Sequence, residues 1–98
     1  MNNYRLLKKA EKDIENIANY TIQRFGIKQA RVYRDDLFKV FEMISEFPLI
    51  GSNHDHIQKN IRRHVHEYHS IYYRVDNNGI TIYRILGPGE DPLSKFNK

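Results

Sequence analysis

The chain has 98 residues, the size of one domain, so we expect a single domain over residues 1–98. It contains no cysteine, which excludes a disulfide framework and a thiolate metal site and makes a reducing cytoplasm the expected compartment. The net charge of +4 at pH 7 suits nucleic acid or an acidic protein as a partner, and equally suits simple solubility. We expect no membrane segment, because no apolar run approaches the length needed to span a bilayer.

The first half of the sequence predicts a short strand and two amphipathic helices. Residues 4–7 suit a strand, and a helix over residues 8–25 follows directly. Gly26 stands where a helix commonly ends in a left-handed conformation, and Pro48 ends a second helix over residues 28–47. The apolar stripes of the two helices are Ala10, Ile14, Ile17, Ala18, Thr21 and Phe25, and then Ala30, Tyr33, Leu37, Val40, Phe41 and Ile44.

The second half predicts a three-stranded meander that is rich in Ile, Val and Tyr. Asn78-Gly79 between apolar runs is a strong hairpin signal, because both residues tolerate positive φ. A break at residues 66–68 separates the first two strands, and residues 49–60 read as an irregular loop. The predicted strands span residues 61–65, 69–75 and 80–86.

The predicted order is strand, helix, helix and three strands. This pattern favours an α+β fold of two layers, in which a helical hairpin covers one face of an antiparallel sheet. We expect the core to contain Ile14, Ile17, Leu37, Phe41, Ile71 and Ile82.

Histidine, arginine and tyrosine are the residues that could carry chemistry. The five histidines lie between His54 and His69, and His64 and His66 share one strand face, which suits a metal or an ordinary polar face equally. We predict no metal site, because no zinc-type spacing is present.

Arg62 and Arg84 could bind phosphate or pair with acidic residues. The tyrosines could stack on bases or pack in the sheet. The sequence has no phosphate-binding loop and no nucleophile motif, and no cofactor is predicted.

The order and spacing of several short motifs resemble the ParE toxins, members of the RelE/ParE superfamily, over nearly the whole chain. The motifs are Ala10, Asp13-Ile14, Ile17, Tyr20, Phe25-Gly26, Gln29-Ala30, Phe47-Pro48, Gly51, Ile61-Arg62-Arg63, residues 69–75, residues 80–86 with Arg84, and Asp91. The resemblance implies a β-α-α-β-β-β fold and the toxin role of a type II toxin–antitoxin module. Two departures are Leu7, where the family often has a Ser or Thr cap, and the ending from Gly87 to Pro92.

The resemblance also implies partners. A ParD-like antitoxin with an acidic C-terminal segment is expected to neutralise the toxin in a hetero-oligomer, by laying a helix on the helical hairpin and extending along the sheet. Its expected contacts are Tyr20, Phe25, Tyr33, Leu37, Arg63 and Tyr72. The free toxin is expected to inhibit DNA gyrase without catalysis and without binding DNA by itself. The expected target contacts are Arg84, Glu90, Asp91 and Phe96.

The other branch of the superfamily is similar to RelE, a ribosome-dependent mRNA endoribonuclease, and gives the alternative function. In that case Arg62, Arg84 and His69 would be catalytic. Such chemistry needs cations and a titratable group around the scissile phosphate. The sequence from Gly87 to Asp91 offers no Tyr or His in that role, so we favour the gyrase inhibitor.

Overall fold

A computed structural model describes residues 3–96 as a five-stranded sheet with two long helices on one face. The predicted α+β class, the helical hairpin and the three-stranded meander are all confirmed, with boundaries that shift by one residue or less. The elements are β1 (Tyr4–Leu6), α1 (Lys8–Phe25), α2 (Ile27–Glu46), β2 (Ser52–Asn53), β3 (Arg62–His66), β4 (His69–Asp76), β5 (Gly79–Leu86) and α3 (Pro92–Phe96).

The sheet has the strand order β1-β5-β4-β3-β2 and is mixed, whereas we expected an antiparallel sheet. The pairs β2–β3, β3–β4 and β4–β5 are antiparallel. β1 lies parallel to β5, with Tyr4 opposite Ile80. A parallel pair needs a long connection between its strands, and the two helices with the β3–β4 hairpin provide one. β1 thereby covers the edge of β5 that the meander leaves open.

Regular structure is present in two segments for which the sequence predicted none. Ser52 and Asn53 form the short edge strand β2 because they pair with Arg63 and Arg62 of β3. After β5, Pro92–Phe96 form the short helix α3. Neither element has enough residues for a periodic apolar pattern, which explains why the sequence did not indicate them.

Glycine is required at two positions for different reasons, one conformational and one steric. Gly26, between α1 and α2, has φ 90° and ψ 168°, which is a glycine-specific region and not the left-handed conformation that we predicted. The turn between β4 and β5 consists of Asn77 and Asn78, and Gly79 is already paired with Asp76. A Cβ atom on Gly79 would lie 1.8 Å from the carbonyl oxygen of Asn3, so the approach of the N-terminal segment to β5 requires glycine there.

The helices and the sheet enclose the main core. Five of the six predicted core residues, Ile14, Leu37, Phe41, Ile71 and Ile82, are buried in it. Ile17 is only half-buried and packs against the margin of this core. A smaller cluster on the opposite face of the sheet, which we call the outer face, contains Ile57, Ile61, Tyr72 and Leu86, with Tyr83 and Phe96 packed against it. Within residues 3–96 no helix is long and apolar enough to span a membrane.

Candidate functional site

Arg84 is held by a buried carboxylate. Its Nε and Nη2 atoms each donate to Asp13 at 2.8 Å, and Nη1 donates to the carbonyl of Lys95 at 3.4 Å. Because β1 ends at Leu6, no strand is available to accept the backbone N–H of Ile85, and Asp13 accepts it at 2.9 Å. The hydrogen bonds and charge of Asp13 raise the pKa of Arg84 above its usual value, although burial opposes this. The guanidinium therefore stabilises the fold, and the predicted role of Arg84 as a target contact or a catalytic group is not supported by its position.

A bulge in β5 precedes Arg84. Ile82 is opposite Tyr73 and Arg84 is opposite Tyr72, so Tyr83 is an extra residue between two consecutive pairs. An extra residue interrupts the alternation of side chains along a strand. Ile82 and Ile85 therefore both pack in the main core, and Arg84 between them binds Asp13 of α1.

The alternative catalytic residues do not form one site. Arg62 donates through Nη1 to the carbonyl oxygens of Gly51 and Leu49, in the chain after α2. The Nδ1 atom of His69 lies 2.6 Å from the hydroxyl of Tyr33 on α2. Arg62 is opposite Tyr73 and His69 is opposite His66, so the two residues lie at opposite ends of the β3–β4 hairpin, about 13 Å apart at 3.3 Å per residue. With Arg84 bound to Asp13, these three groups cannot surround one phosphate.

A cavity of about 560 Å³ lies on the outer face, beside the small cluster. Arg63 lines it and donates from Nε to the hydroxyl of Ser70 at 2.9 Å. Tyr72 is buried between the rings of His54 and Phe96. Burial lowers the pKa of His54, and the nearby His56 and Arg63 lower it further, which favours a neutral imidazole. Arg63 and Tyr72 therefore belong to a different surface from the other predicted antitoxin contacts.

The residues after β5 fold onto the outer face. Glu90 accepts the N–H of Gly87 at 2.7 Å and lies 3.7 Å from the ammonium of Lys95. Asp91 accepts the N–H of Leu93 at 3.2 Å at the start of α3. The ring of Phe96 packs against Tyr72 with centroids 5.5 Å apart. Glu90 and Asp91 remain exposed, whereas Phe96 is half-buried and packs against the small cluster, so its role as a target contact stays a prediction.

A groove of about 1080 Å³ lies between α1, α2, the β3–β4 turn and the chain after β5, and we call it the hairpin groove. Three aromatic side chains on its wall are largely exposed: Tyr20 at 56%, Phe25 at 68% and Tyr68 at 75%. Sequence reasoning indicated Tyr20, Phe25 and Tyr33 and missed Tyr68 and Pro88. An aromatic residue in a tight hairpin turn was the available signal for Tyr68, since such a turn exposes its side chains to solvent.

Tyr33 and His69 join the two sides of the hairpin groove. The Tyr33 ring stacks on His66, and its hydroxyl meets Nδ1 of His69. Burial, followed by the nearby charges of Glu67 and Asp36, raises the pKa of Tyr33 to about 12. Burial lowers the pKa of His69, so both rings are uncharged at neutral pH.

Leu37, a predicted antitoxin contact, does not line the hairpin groove. It is 1% exposed and packs in the main core between α2 and the sheet. A partner could not reach this side chain without opening the core, and the role of Leu37 as an antitoxin contact stays a prediction. The stripe of α2 contains both core and groove positions, and a helical period alone does not distinguish them.

His64 and His66 lie on the helix-covered side of β3, next to Ile71 and His69 respectively, so the prediction that they share a face is confirmed. Among residues 3–96, no three His, Asp or Glu side chains converge closely enough to hold a metal ion.

Comparison with known proteins identifies the family. Residues 4–92 match the family described as "ParE toxin of type II toxin-antitoxin system, parDE". The chain belongs to the ParE toxin family. It is 35% identical over 86 residues to Toxin ParE1 of Caulobacter vibrioides, which covers 88% of each chain. It is 31% identical over 84 residues to Toxin ParE1 of Mycobacterium tuberculosis, which covers 85% of this chain and 86% of that one.

The fold of this ParE-family toxin is also found in a solved structure. A chain from the chromosomal ParDE TA system of P. aeruginosa matches it with a TM-score of 0.75 and 20% identity, over 86% of this chain and 92% of that one. The toxin–antitoxin assignment rests on the family match, and the solved structure supports the fold.

Proposed function

We propose that this ParE-family toxin is neutralised by an antitoxin that fills the hairpin groove, and that the free toxin inhibits DNA gyrase without catalysing a reaction. The hairpin groove is the observation that supports neutralisation by an antitoxin. It presents Tyr20, Phe25 and Tyr68 to solvent, and large exposed apolar surfaces on a small domain are typical of protein interfaces. Two antiparallel helices beside a sheet form a channel suited to an apolar helix.

The absence of catalysis is inferred from how the candidate catalytic groups are used. Arg84 is bound to Asp13, Arg62 to backbone carbonyls and His69 to Tyr33. Phosphodiester cleavage needs cations and a proton-transferring group at one point. An inhibitor needs only a complementary surface, and the exposed carboxylates of Glu90 and Asp91 remain our candidates for the gyrase contact.

The antitoxin part is tested by substitution in the hairpin groove. We expect Phe25→Asp to weaken binding of the cognate antitoxin by about 30-fold or more, which corresponds to a hot-spot residue of about 2 kcal/mol. Phe47→Asp is the matched control, because Phe47 is 61% exposed but lies outside the hairpin groove. The affinities are measured by titration calorimetry. Equal losses for the two variants would place the antitoxin elsewhere.

The target part is tested with one sample of toxin made by cell-free synthesis. Supercoiling by gyrase and cleavage of mRNA on translating ribosomes are measured in parallel. We expect inhibited supercoiling and intact mRNA, and Asp91→Lys should weaken the inhibition. Cleaved mRNA with normal supercoiling would instead establish the endoribonuclease function.

A further inference from the structure

The charge of the hairpin groove is opposite to the charge of the whole chain. The chain has 16 Lys and Arg residues and a net charge of +4. Within residues 3–96, however, the residues lining the hairpin groove include no Lys or Arg, while Asp13, Asp36, Glu67 and Glu90 contribute carboxylates. A basic protein thus has a concave surface whose charged lining residues are acidic.

Two of these four carboxylates are already paired with a Lys or Arg side chain. Asp13 is bound to Arg84, and Glu90 lies near Lys95. Asp36 makes no ion pair in the part of the chain that the structure describes, and Glu67 lies near only the imidazole of His66, at 3.4 Å. The charge available to a partner is therefore that of Asp36 and Glu67.

Asp36 and Glu67 lie on opposite walls of the hairpin groove. Asp36 is one helical turn beyond Tyr33 on α2, and Glu67 is in the β3–β4 turn that the Tyr33 ring approaches. Both carboxylates raise the pKa of Tyr33, which indicates that both lie near its hydroxyl. Glu67 has φ 52°, a conformation that is costly for a residue with a long side chain. A Gly or Asn would relieve this strain but would remove the carboxylate from the rim.

We propose that the antitoxin segment filling the hairpin groove is an apolar helix that carries Lys or Arg facing Asp36 and Glu67. This inference rests on the proposed antitoxin role and specifies the partner's chemistry. The expectation of an acidic segment, drawn from the positive charge of the whole toxin, then applies to the part of the antitoxin that lies outside the hairpin groove.

The range of electrostatic interactions favours the local charge over the net charge. At about 0.15 M salt, charges more than about 8 Å apart are largely screened at a protein surface. Arg24 lies beside the groove wall, with its guanidinium carbon 5.3 Å from the centroid of the Tyr20 ring. Among the groove-lining residues within 3–96, however, Asp36 and Glu67 are the charged groups that are not paired with a Lys or Arg. A side chain inside the hairpin groove beside Tyr33 therefore interacts with Asp36 and Glu67.

The test uses two synthetic helical peptides with the same Leu stripe at helical spacing. One has two Lys residues flanking the stripe and the other has two Glu residues, and both carry a hydrocarbon staple on the opposite face so that their helicity is equal. Binding to the purified toxin is measured by fluorescence anisotropy at about 0.15 M salt. We expect the Lys peptide to bind at least about tenfold more tightly than the Glu peptide.

Two charge-reversed toxins identify the source of this preference. Asp36→Lys with Glu67→Lys should reverse it, so that the Glu peptide binds more tightly. Asp35→Lys with Glu46→Lys is the matched control, because both residues are exposed on α2 and lie outside the hairpin groove. Each pair of substitutions changes the net charge equally, and we expect the control to keep the preference of the original chain. Circular dichroism verifies that both variants fold.

Three results would overturn the proposal: stronger or equal binding of the Glu peptide, loss of the preference in both variants, or no binding of either peptide. These results differ from failure of the proposed function. Antitoxin neutralisation is tested by calorimetry with the whole antitoxin, and it can succeed even if the peptides show no charge preference.

Discussion

The two faces of the sheet are covered in different ways. On one face, α1 and α2 enclose a core with ten buried residues. On the outer face, the loop after β2 and the five-residue helix α3 cover a cluster with four. The long helices bury a continuous stripe, whereas the outer cover touches the sheet through single residues such as Ile57 and Phe96. We infer that most of the stability comes from the helix-covered face and that the outer cover can change with little effect on the fold.

The largest expected effect is on the helix-covered face. Phe41→Ala should lower the free energy of unfolding by about 3–5 kcal/mol, because it leaves a cavity beneath a side chain with no exposed surface. Urea denaturation measures the change. Phe47→Ala is the control and should change it by less than about 0.5 kcal/mol, since Phe47 is exposed. A loss below about 1 kcal/mol for Phe41→Ala would contradict the importance of this face.

The ion pair at the edge of this face should be next in importance. Asp13→Ala leaves Arg84 and the N–H of Ile85 without their acceptor, in a site where both charged side chains are largely buried. Removing one partner from such a pair costs about 3 kcal/mol, because the other charge stays buried. The control is Glu15→Ala, also on α1, whose pairing with Lys12 is exposed and contributes about 0–1 kcal/mol. If the two variants are equally stable, the pair of Asp13 and Arg84 is not structural.

The same contrast explains what could be predicted from the sequence. Phe41 and Ile71 were assigned to the core because repeated apolar positions in a helix or a strand identify the buried face. The pairing of Asp13 with Arg84 joins residues 71 positions apart, and no local pattern encodes it. The parallel direction of β1 likewise depends on where the crossover returns the chain. Leu37 and Tyr33 lie on one helical stripe, and only the packed structure shows that one enters the core and the other lines the hairpin groove.

The hydroxyl group of Tyr73 connects the loop after α2 to the core. Tyr73 donates to the carbonyl of Pro48 at 2.7 Å and accepts the N–H of Gly51 at 2.8 Å, while its ring has no exposed surface. Tyr73→Phe should lower the free energy of unfolding by about 1–3 kcal/mol, because both buried backbone groups lose their partner. Faster hydrogen exchange at Gly51, measured by NMR, should accompany the loss.

Tyr83→Phe is the control for Tyr73→Phe, since the Tyr83 ring is half-buried on the outer face. Unchanged exchange at Gly51 would show that the loop is held by other contacts.

The smallest expected effect is on the outer face, where Phe96→Ala tests the contribution of α3. The Phe96 ring packs edge-on against Tyr72, but it is half-buried and belongs to a helix of only five residues. Partial burial of one ring and one aromatic contact should together contribute about 1 kcal/mol. Urea denaturation should show a loss of this size, well below that of Phe41→Ala.

The hairpin groove lies on the opposite side of the sheet from Phe96, so antitoxin affinity should stay unchanged in the Phe96→Ala variant. A loss as large as that of Phe41→Ala would mean that the two faces contribute equally to the fold. A loss of antitoxin affinity without a loss of stability would instead mean that the antitoxin also binds the outer face, where Arg63 and Tyr72 lie.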